Sequence, residues 1–397
     1  MARDDRDLHH PSAHGRHRRR RTRRLTLAIG LGLVLAAAAV VGGLLLLGGS
    51  PSSDGRAEAA AASTGEGGDA HAGHGAGEPT TPAPAEPSGP PPSGATPGLG
   101  AALPVGAAPH HMVIAPDGRS AYVADSALGT LLRLDPASGA VTATIPIPEA
   151  PPQMVTLAPD GSRAYVSAYD EDFATNYVVV VDTAIDRAIM AVPVGRGPYA
   201  MSTGPDGRLL YVPYYDEDHL DVLDTGTLAR VQRIDVAPSP HWIAFSADRR
   251  SAYLTNHFSG LVTVLELDGH RVVTTIDVGE GPHSIETSPD GTRVAVVNYV
   301  SDDVSLIDPA TNTVVGTVPG VGAGPQDVTW APDGRHLYTA NVEDGTVGVV
   351  DVATGAVTAR IPTGDSPTSV SVTPDGLRLL VTNYGDGTVR LLDAVGG

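Results

Sequence analysis

Seven short segments of this chain place a polar or aromatic residue directly after a proline, and these residues could together form a binding site. In every segment an apolar residue follows three places after the proline. The first places after the prolines hold His110, Gln153, Tyr199, His241, His283, Gln326 and Thr368, and the second places add His111, Trp242 and Asp327. Imidazole groups suit zinc, copper, iron and nickel, whereas converging aromatic and amide groups are typical of a pocket for an organic ligand.

The elements that must position these residues are repeats of 42 to 46 residues. Each repeat has four β-rich runs separated by turn residues and shows no helical period. In the fifth repeat, three of these runs are residues 294–298, 304–308 and 313–318. Four strands in a unit of this length predict the blade of a β-propeller. A Pro-Asp-Gly turn, or a relic of it, marks each repeat at Asp117, Asp160, Asp206, Asp248, Asp290, Asp333 and Asp375.

Seven copies predict an all-β, seven-bladed propeller with four-stranded blades. The last copy lacks a fourth strand, because only four residues follow Asp393. The segment 103–106 matches the fourth-strand segments 192–195 and 361–364. We therefore expect residues 100–106 to pair with residues 388–393 and close the ring, which removes an open sheet edge.

In such a ring the inner strands surround the axis, so the residues after the prolines meet at one mouth. We predict that the ligand-binding residues are His110, His111, Gln153, Tyr199, His241, Trp242, His283, Gln326 and Asp327, and that a metal, if bound, is held by His110, His241 and His283. Acidic residues and tyrosines crowd the loops of the same face. If the histidines hold the ligand, its affinity should fall as the pH drops through about 6.5.

The segments 253–256, 380–383 and 389–393 are similar to the YVTN repeat. Over about residues 100–397 the chain resembles bacterial YVTN-repeat β-propellers. The resemblance implies the fold. Relatives include bacterial surface-layer-type and periplasmic propellers, and similar architectures include the haem d1 domain of nitrite reductases and lactonase-type enzymes. A lactonase needs metal-binding carboxylates at the axis, and Asp327 is the one clear candidate there, which argues against that activity.

Two functions remain open. The favoured one is a module that binds a small molecule or a protein through its acidic, Tyr- and His-rich face, since no G-x-S-x-G motif or evident Ser-His-Asp arrangement indicates a hydrolase. The alternative is a metal- or haem-dependent oxidoreductase of the cytochrome d1-like type. A chain without cysteine has no C-x-x-C-H haem-attachment site, although haem d1 does not need one.

The N-terminal quarter predicts a membrane anchor. Residues 1–24 form an Arg-rich tail, expected in the cytoplasm, and the uncharged residues 25–48 are long enough for a transmembrane signal-anchor. Residues 49–99 are rich in Gly, Pro and Ala, which predicts a disordered linker to a propeller at residues 100–397. The expected location is the cell membrane, single-pass, with the propeller outside; the alternative is a secreted protein after signal cleavage.

The charge divides between these parts. Residues 1–48 carry a net charge of +6 and the rest −25, for a total of −19. A remainder this acidic, residues 49–397, is not expected to bind nucleic acid, whose protein partners carry basic patches.

Overall fold

A computed structural model describes residues 89–395, which form seven antiparallel sheets of four strands each. The predicted all-β, seven-bladed propeller is confirmed. Within residues 89–395 no helix qualifies as a membrane-spanning segment. The predicted tail, signal-anchor and most of the predicted linker lie outside the described residues.

Each blade runs from an inner strand at the axis to an outer strand at the rim. The strands of blades 1 to 3 are β2 (Pro109–Ile114), β3 (Ala121–Asp125), β4 (Thr130–Leu134), β5 (Val141–Pro146); β6 (Pro152–Leu157), β7 (Arg163–Tyr169), β8 (Asn176–Asp182), β9 (Arg187–Pro193); β10 (Ser202–Thr203), β11 (Leu209–Pro213), β12 (His219–Asp224), β13 (Arg230–Asp235).

The remaining blades follow the same order. Their strands are β14 (Pro240–Phe245), β15 (Ser251–Asn256), β16 (Leu261–Glu266), β17 (Arg271–Asp277); β18 (Pro282–Thr287), β19 (Val294–Asn298), β20 (Asp303–Asp308), β21 (Thr313–Pro319); β22 (Pro325–Trp330), β23 (His336–Asn341), β24 (Thr346–Asp351), β25 (Ala356–Pro362); β26 (Pro367–Val372), β27 (Arg378–Asn383), β28 (Thr388–Asp393).

The ring closes through β1 (Gly98–Pro104), which pairs antiparallel with β28 as the outer strand of blade 7. The predicted closure is confirmed, but the strand begins at Gly98, two residues before the predicted start of the propeller. Its register shifts between Leu99 and Ala102. Gly100 lies at this irregularity, where an added Cβ would stand 2.6 Å from the Leu391 carbonyl oxygen, so only glycine allows the close approach.

Residues before β1 also contact the propeller. The Ser93 hydroxyl donates a hydrogen bond to Asp333 (2.8 Å), and the Gly94 N–H donates one to the Ala394 carbonyl (2.8 Å). The Thr358 hydroxyl donates to the Ala95 carbonyl (2.9 Å). Residues 93–95 are therefore hydrogen-bonded to blades 6 and 7, although they lie within the range predicted to be linker.

The Pro-Asp-Gly turns work as their residue types predict. In blade 1, Asp117 accepts a hydrogen bond from the N–H two residues on (3.0 Å), and Gly118 has φ +68°. Blade 4 has Asp248 followed by Arg249, and Arg249 adopts φ +61° at the place of the glycine. The turn geometry is thus retained even where the sequence is only a relic of the repeat.

The core consists of layers between neighbouring blades. One cluster of buried Val, Leu, Ile, Ala and Tyr residues lies between each pair of adjacent sheets, and the one between blades 7 and 1 includes Met112, Leu380 and Val389, with Leu103 of β1 packed against it. Burial of such side chains contributes roughly 1.5–3 kcal/mol each. These layers fix the inner strands and hence the mouth that they surround.

Candidate functional site

Two positions in each blade face the mouth: the residue after the inner-strand proline and the residue after the second strand. A backbone hydrogen bond ties them together, because the N–H after the second strand donates to the carbonyl that precedes the proline. Examples are Tyr215 to Gly197 (2.9 Å) and Tyr299 to Gly281 (2.8 Å). The position that donates this hydrogen bond, at or just after the end of the second strand, holds Ser126, Tyr169, Tyr215, His257, Tyr299, Val342 and Tyr384.

Four buried rings from blades 3, 4 and 5 meet at the mouth, and we call Tyr199, His241, His257 and His283 the inner tier. The Tyr199 and His241 ring centroids are 3.7 Å apart, and those of His241 and His283 are 4.2 Å apart. His257 stacks on His241 at 5.0 Å. The structure thus brings together three predicted site residues and adds His257.

Blade 3 departs from the repeat at this point. Its inner strand is reduced to Ser202–Thr203, and the Ala200 N–H donates to the His241 carbonyl of the next blade (3.2 Å). A parallel bridge joins Ala200 to Trp242. The backbone of blade 3 is therefore drawn towards blade 4, which accounts for the close contact of Tyr199 with His241.

Partly exposed rings surround the inner tier, and we call Phe173, Tyr215, Phe258 and Tyr299 the outer tier. Tyr215 packs edge-on against His241 at 5.2 Å and contacts Phe258 at 5.5 Å and Phe173 at 6.3 Å. Phe173 comes from the longer loop of blade 2, where it adopts φ +52°. The extra residues of that blade therefore supply one wall of the mouth.

The loops of this face are almost uniformly acidic. Their carboxylates are Glu149, Asp170, Glu171, Asp172, Asp216, Glu217, Asp218, Glu280, Asp302, Glu343, Asp344, Asp365 and Asp386, whereas Arg196 is the one arginine in these loops within residues 89–395, and the chain has no lysine. Arg196 is paired with Asp216 (Nε to Oδ2, 2.8 Å) and lies over the Phe173 ring. The mouth is therefore an aromatic patch in a negative field.

Burial keeps the inner-tier imidazoles neutral, and some of their ring nitrogens lack a hydrogen-bond partner in the described part of the chain. Neither ring nitrogen of His241, a residue only 3% exposed, has a hydrogen-bond partner among residues 89–395, and the same holds for Nδ1 of His283. Burial lowers the pKa of both side chains well below 6.5 and that of His257 to about 4. Charging a buried imidazole is costly, which explains why these pKa values are lowered. We therefore expect the pH dependence of ligand binding well below the pH of about 6.5 that the sequence predicted.

The other predicted residues lie around the inner tier. Trp242 contacts His111 at 5.1 Å and His283 at 6.1 Å. The His110 ring contacts Tyr384 at 5.8 Å, and its Nε2 is 3.5 Å from Nε2 of Gln326. Burial lowers the pKa of His110 to about 4 and that of His111 to about 3. Gln153 donates its amide to the Tyr169 carbonyl (3.2 Å).

Asp327 is engaged in contacts within the protein. It accepts hydrogen bonds from the hydroxyls of Ser284 (2.8 Å) and Ser369 (2.9 Å), and from the N–H groups of Val328 (2.9 Å) and Val370 (3.0 Å). Burial raises the pKa of Asp327 to about 6. This carboxylate joins the inner strands of blades 5, 6 and 7, so a ligand would have to break these bonds to use it.

A second acid, which no sequence pattern singles out, lies on the same inner strands. Glu286 accepts a hydrogen bond from the Trp330 N–H (3.0 Å), and burial raises the pKa of Glu286 to about 8. The Trp330 indole donates to the Glu286 backbone carbonyl (3.1 Å). Burial thus favours the protonated form of Glu286 at neutral pH.

Across residues 89–395, no group of three or more His, Asp or Glu side chains is arranged to hold a metal ion. Neutral imidazoles remain suitable donors to a single iron or other metal atom.

His257 is the inner-tier residue that sequence reasoning missed. It occupies the position after the second strand where four other blades have tyrosine, directly after Asn256 of the repeat. Aligning the repeats at that position, as well as at the proline, would have singled it out.

The fold and site define a seven-bladed β-propeller with a His- and Tyr-lined mouth. A model of the cytochrome D1 heme domain family matches residues 216–329 and, overlapping them, 302–396. The predicted resemblance to seven-bladed propellers of the cytochrome d1-like type is confirmed. No curated protein is significantly similar in sequence. Among solved structures, Kuenenia stuttgartiensis hydrazine synthase is similar, with a TM-score of 0.66 and 22% identity over 73% of this chain and 97% of that chain, a likeness of fold alone.

Proposed function

We propose that this protein is an extracytoplasmic binding module that takes a small ligand into the mouth of its propeller. The observation that carries the proposal is His241, a buried side chain whose two ring nitrogens have no partner among residues 89–395 and which lies among aromatic rings. A buried polar group without a partner costs roughly 1–3 kcal/mol. Such a cost is expected at a place where a ligand supplies the missing hydrogen bond.

The composition of the mouth supports a small ligand. Tyrosine, tryptophan and phenylalanine give large contact areas at low entropic cost, and polar groups among them give orientation. In the described part of the chain, the opposite face, which carries the Pro-Asp-Gly turns, has a smaller group of rings, in which Tyr211 contacts Phe245 and His270. A protein partner at the same mouth is the other form of the proposal and would insert a side chain between the outer-tier rings.

Equilibrium dialysis tests this function. The full-length protein, in mild detergent, is dialysed against an equimolar mixture of small organic cations, anions and neutral solutes, and retention is read by mass spectrometry. We expect at least one class to be retained by the wild type and lost in a His241→Phe/Tyr215→Leu double variant. Equal retention of every solute, or retention unchanged in the double variant, would refute the proposal.

A haem-dependent oxidoreductase is the second candidate, favoured by the family match and by neutral imidazoles that could ligate iron. The unpartnered nitrogens of His241 fit that role. The surroundings do not fit the carboxylates that haem carries, because the described loops of this face supply one arginine, already paired with Asp216. Titration with hemin separates the two: a Soret shift that is lost in His241→Ala would favour the oxidoreductase, and its absence in the wild type would remove it.

We propose a single-pass membrane anchor at residues 25–48 with the propeller outside the cytoplasm. The supporting features are the Arg-rich segment that precedes an uncharged stretch and the acidic charge of the remainder. The N-terminal sequence of the mature protein tests the anchor, since a chain that begins just after residue 48 would instead be secreted.

A further inference from the structure

We propose that the mouth binds a protonated amine, an alkylammonium ion, which the outer-tier rings hold by cation–π contact and the inner-tier imidazoles hold by accepting its N–H hydrogen bonds. This inference rests on the proposed function and specifies its ligand. It is carried by three independent features: ring arrangement, charge and unpartnered acceptors.

The rings are arranged to face a cation. The Tyr215 ring centroid is 6.3 Å from that of Phe173 and 5.5 Å from that of Phe258, and the ring planes of both pairs are tilted. Arg196 already occupies one such place, 5.9 Å from the Phe173 ring centroid. A ring face attracts a cation within about 6 Å. The contact between Arg196 and Phe173 is therefore an example, within the protein itself, of the contact that we propose for the ligand.

The field around the rings selects the same charge. The described loops of this face bear the thirteen carboxylates named above against one paired arginine. The Tyr299 hydroxyl donates to Glu343 (3.3 Å), which brings one of these carboxylates to the outer tier. An anion would meet repulsion from this rim, whereas a cation is drawn to it and its association is accelerated.

The imidazoles account for a ligand with N–H groups. A neutral imidazole has one nitrogen that accepts a hydrogen bond, and those of His241 and His283 include buried nitrogens without partners among residues 89–395. The partly exposed Tyr215 ring packs edge-on against His241 at 5.2 Å, so an ammonium ion held by the outer-tier rings would lie next to these imidazoles. A quaternary ammonium could use the rings but not these acceptors, and a metal ion finds no preformed set of three ligands within the described residues.

Isothermal titration of the full-length protein with butylammonium, 1-butanol, butanoate and tetramethylammonium tests the inference. We expect butylammonium to bind at least ~10-fold more tightly than the neutral alcohol and the anion of the same length, and more tightly than tetramethylammonium. Equal affinity for 1-butanol would overturn the cation preference, and equal affinity for tetramethylammonium would overturn the hydrogen bonds to imidazole.

Variants locate the site. His241→Phe removes the acceptor but keeps a ring, and we expect butylammonium affinity to fall about 10-fold, as for a hydrogen bond to a charged group. Tyr215→Leu should weaken binding several-fold, whereas Tyr215→Phe keeps the ring and should not. His270→Asn, on the opposite face, is the control for loss of a histidine. If both Tyr215 variants behave alike, or if His270→Asn weakens binding as much as His241→Phe, the inference is wrong.

The outcome also separates this inference from the proposed function. If dialysis shows a neutral or anionic solute retained in a His241-dependent way while butylammonium does not bind, the mouth is a binding site and the ammonium assignment is wrong. If no solute class is retained, both are wrong.

Discussion

Replacing Glu286 with glutamine should stabilise the propeller at alkaline pH and leave its stability unchanged in acid. In the folded protein, burial raises the pKa of Glu286 from 4.5 to about 8. A side chain whose pKa is higher in the folded state favours folding when it is protonated. Its contribution is therefore fully present below pH 4.5 and is lost as the pH rises through 8.

The magnitude follows from the two pKa values. Each unit of pKa difference corresponds to about 1.4 kcal/mol, and for a half-buried side chain we allow for some solvent screening, which gives about 4 kcal/mol at pH 9. The substituted glutamine would be uncharged throughout, and its amide oxygen can still accept the Trp330 N–H. The difference in unfolding free energy between variant and wild type should thus be near zero at pH 4.5 and approach this value at pH 9.

Urea denaturation of the full-length protein at pH 5, 7 and 9, followed by tryptophan fluorescence, measures this difference. The exposed Glu171→Gln is the matched control for loss of one carboxylate from an acidic protein. Parallel stability profiles for Glu286→Gln and wild type between pH 5 and 9 would refute the reasoning, because they would show that the carboxyl is not kept neutral by burial.

Three further outcomes are expected. Leu103→Ala should lower the unfolding free energy by about 2 kcal/mol, because Leu103 packs on the core between blades 7 and 1, while Leu99→Ala on the same strand should have little effect since Leu99 is 57% exposed; equal melting temperatures for the two would contradict closure by β1. Imidazole NMR shifts of His110 and His257 should titrate near pH 4, and a midpoint near the ordinary value of about 6.5 would show that the mouth is wetter than the structure indicates. Protease added to intact cells should release the propeller by cutting within residues 49–88, where linker composition favours nicking; full protection of the chain would argue against an exposed propeller.

The fold was predictable because the sequence pattern of one blade recurs seven times. Turn residues with fixed roles, such as Asp117 and Gly118, recur at nearly constant spacing. The segment before β2 matches the fourth strand of other repeats, and this match predicted how the ring closes. The start of β1 was misplaced by two residues because the irregularity at Gly100 adds length that a simple alignment of repeats does not contain.

The site was only partly predictable. The position after each proline correctly brought Tyr199, His241 and His283 to one place, since inner strands share an axis. The ring contact of His110 with Tyr384 depends on side-chain directions, which the spacing of the repeats does not specify. The hydrogen bonds that occupy Asp327 come from three different blades, and no spacing in the sequence shows them.

Whether the axial mouth receives the ligand is tested most directly by NMR of the histidine side chains. The full-length protein, with labelled histidine, is observed while the solute retained in dialysis is added. Binding at the mouth predicts that the ring-nitrogen resonances of His241 and His283 shift in step with occupancy while His270 on the opposite face stays constant. Saturating binding that leaves His241 and His283 unchanged would contradict the proposal.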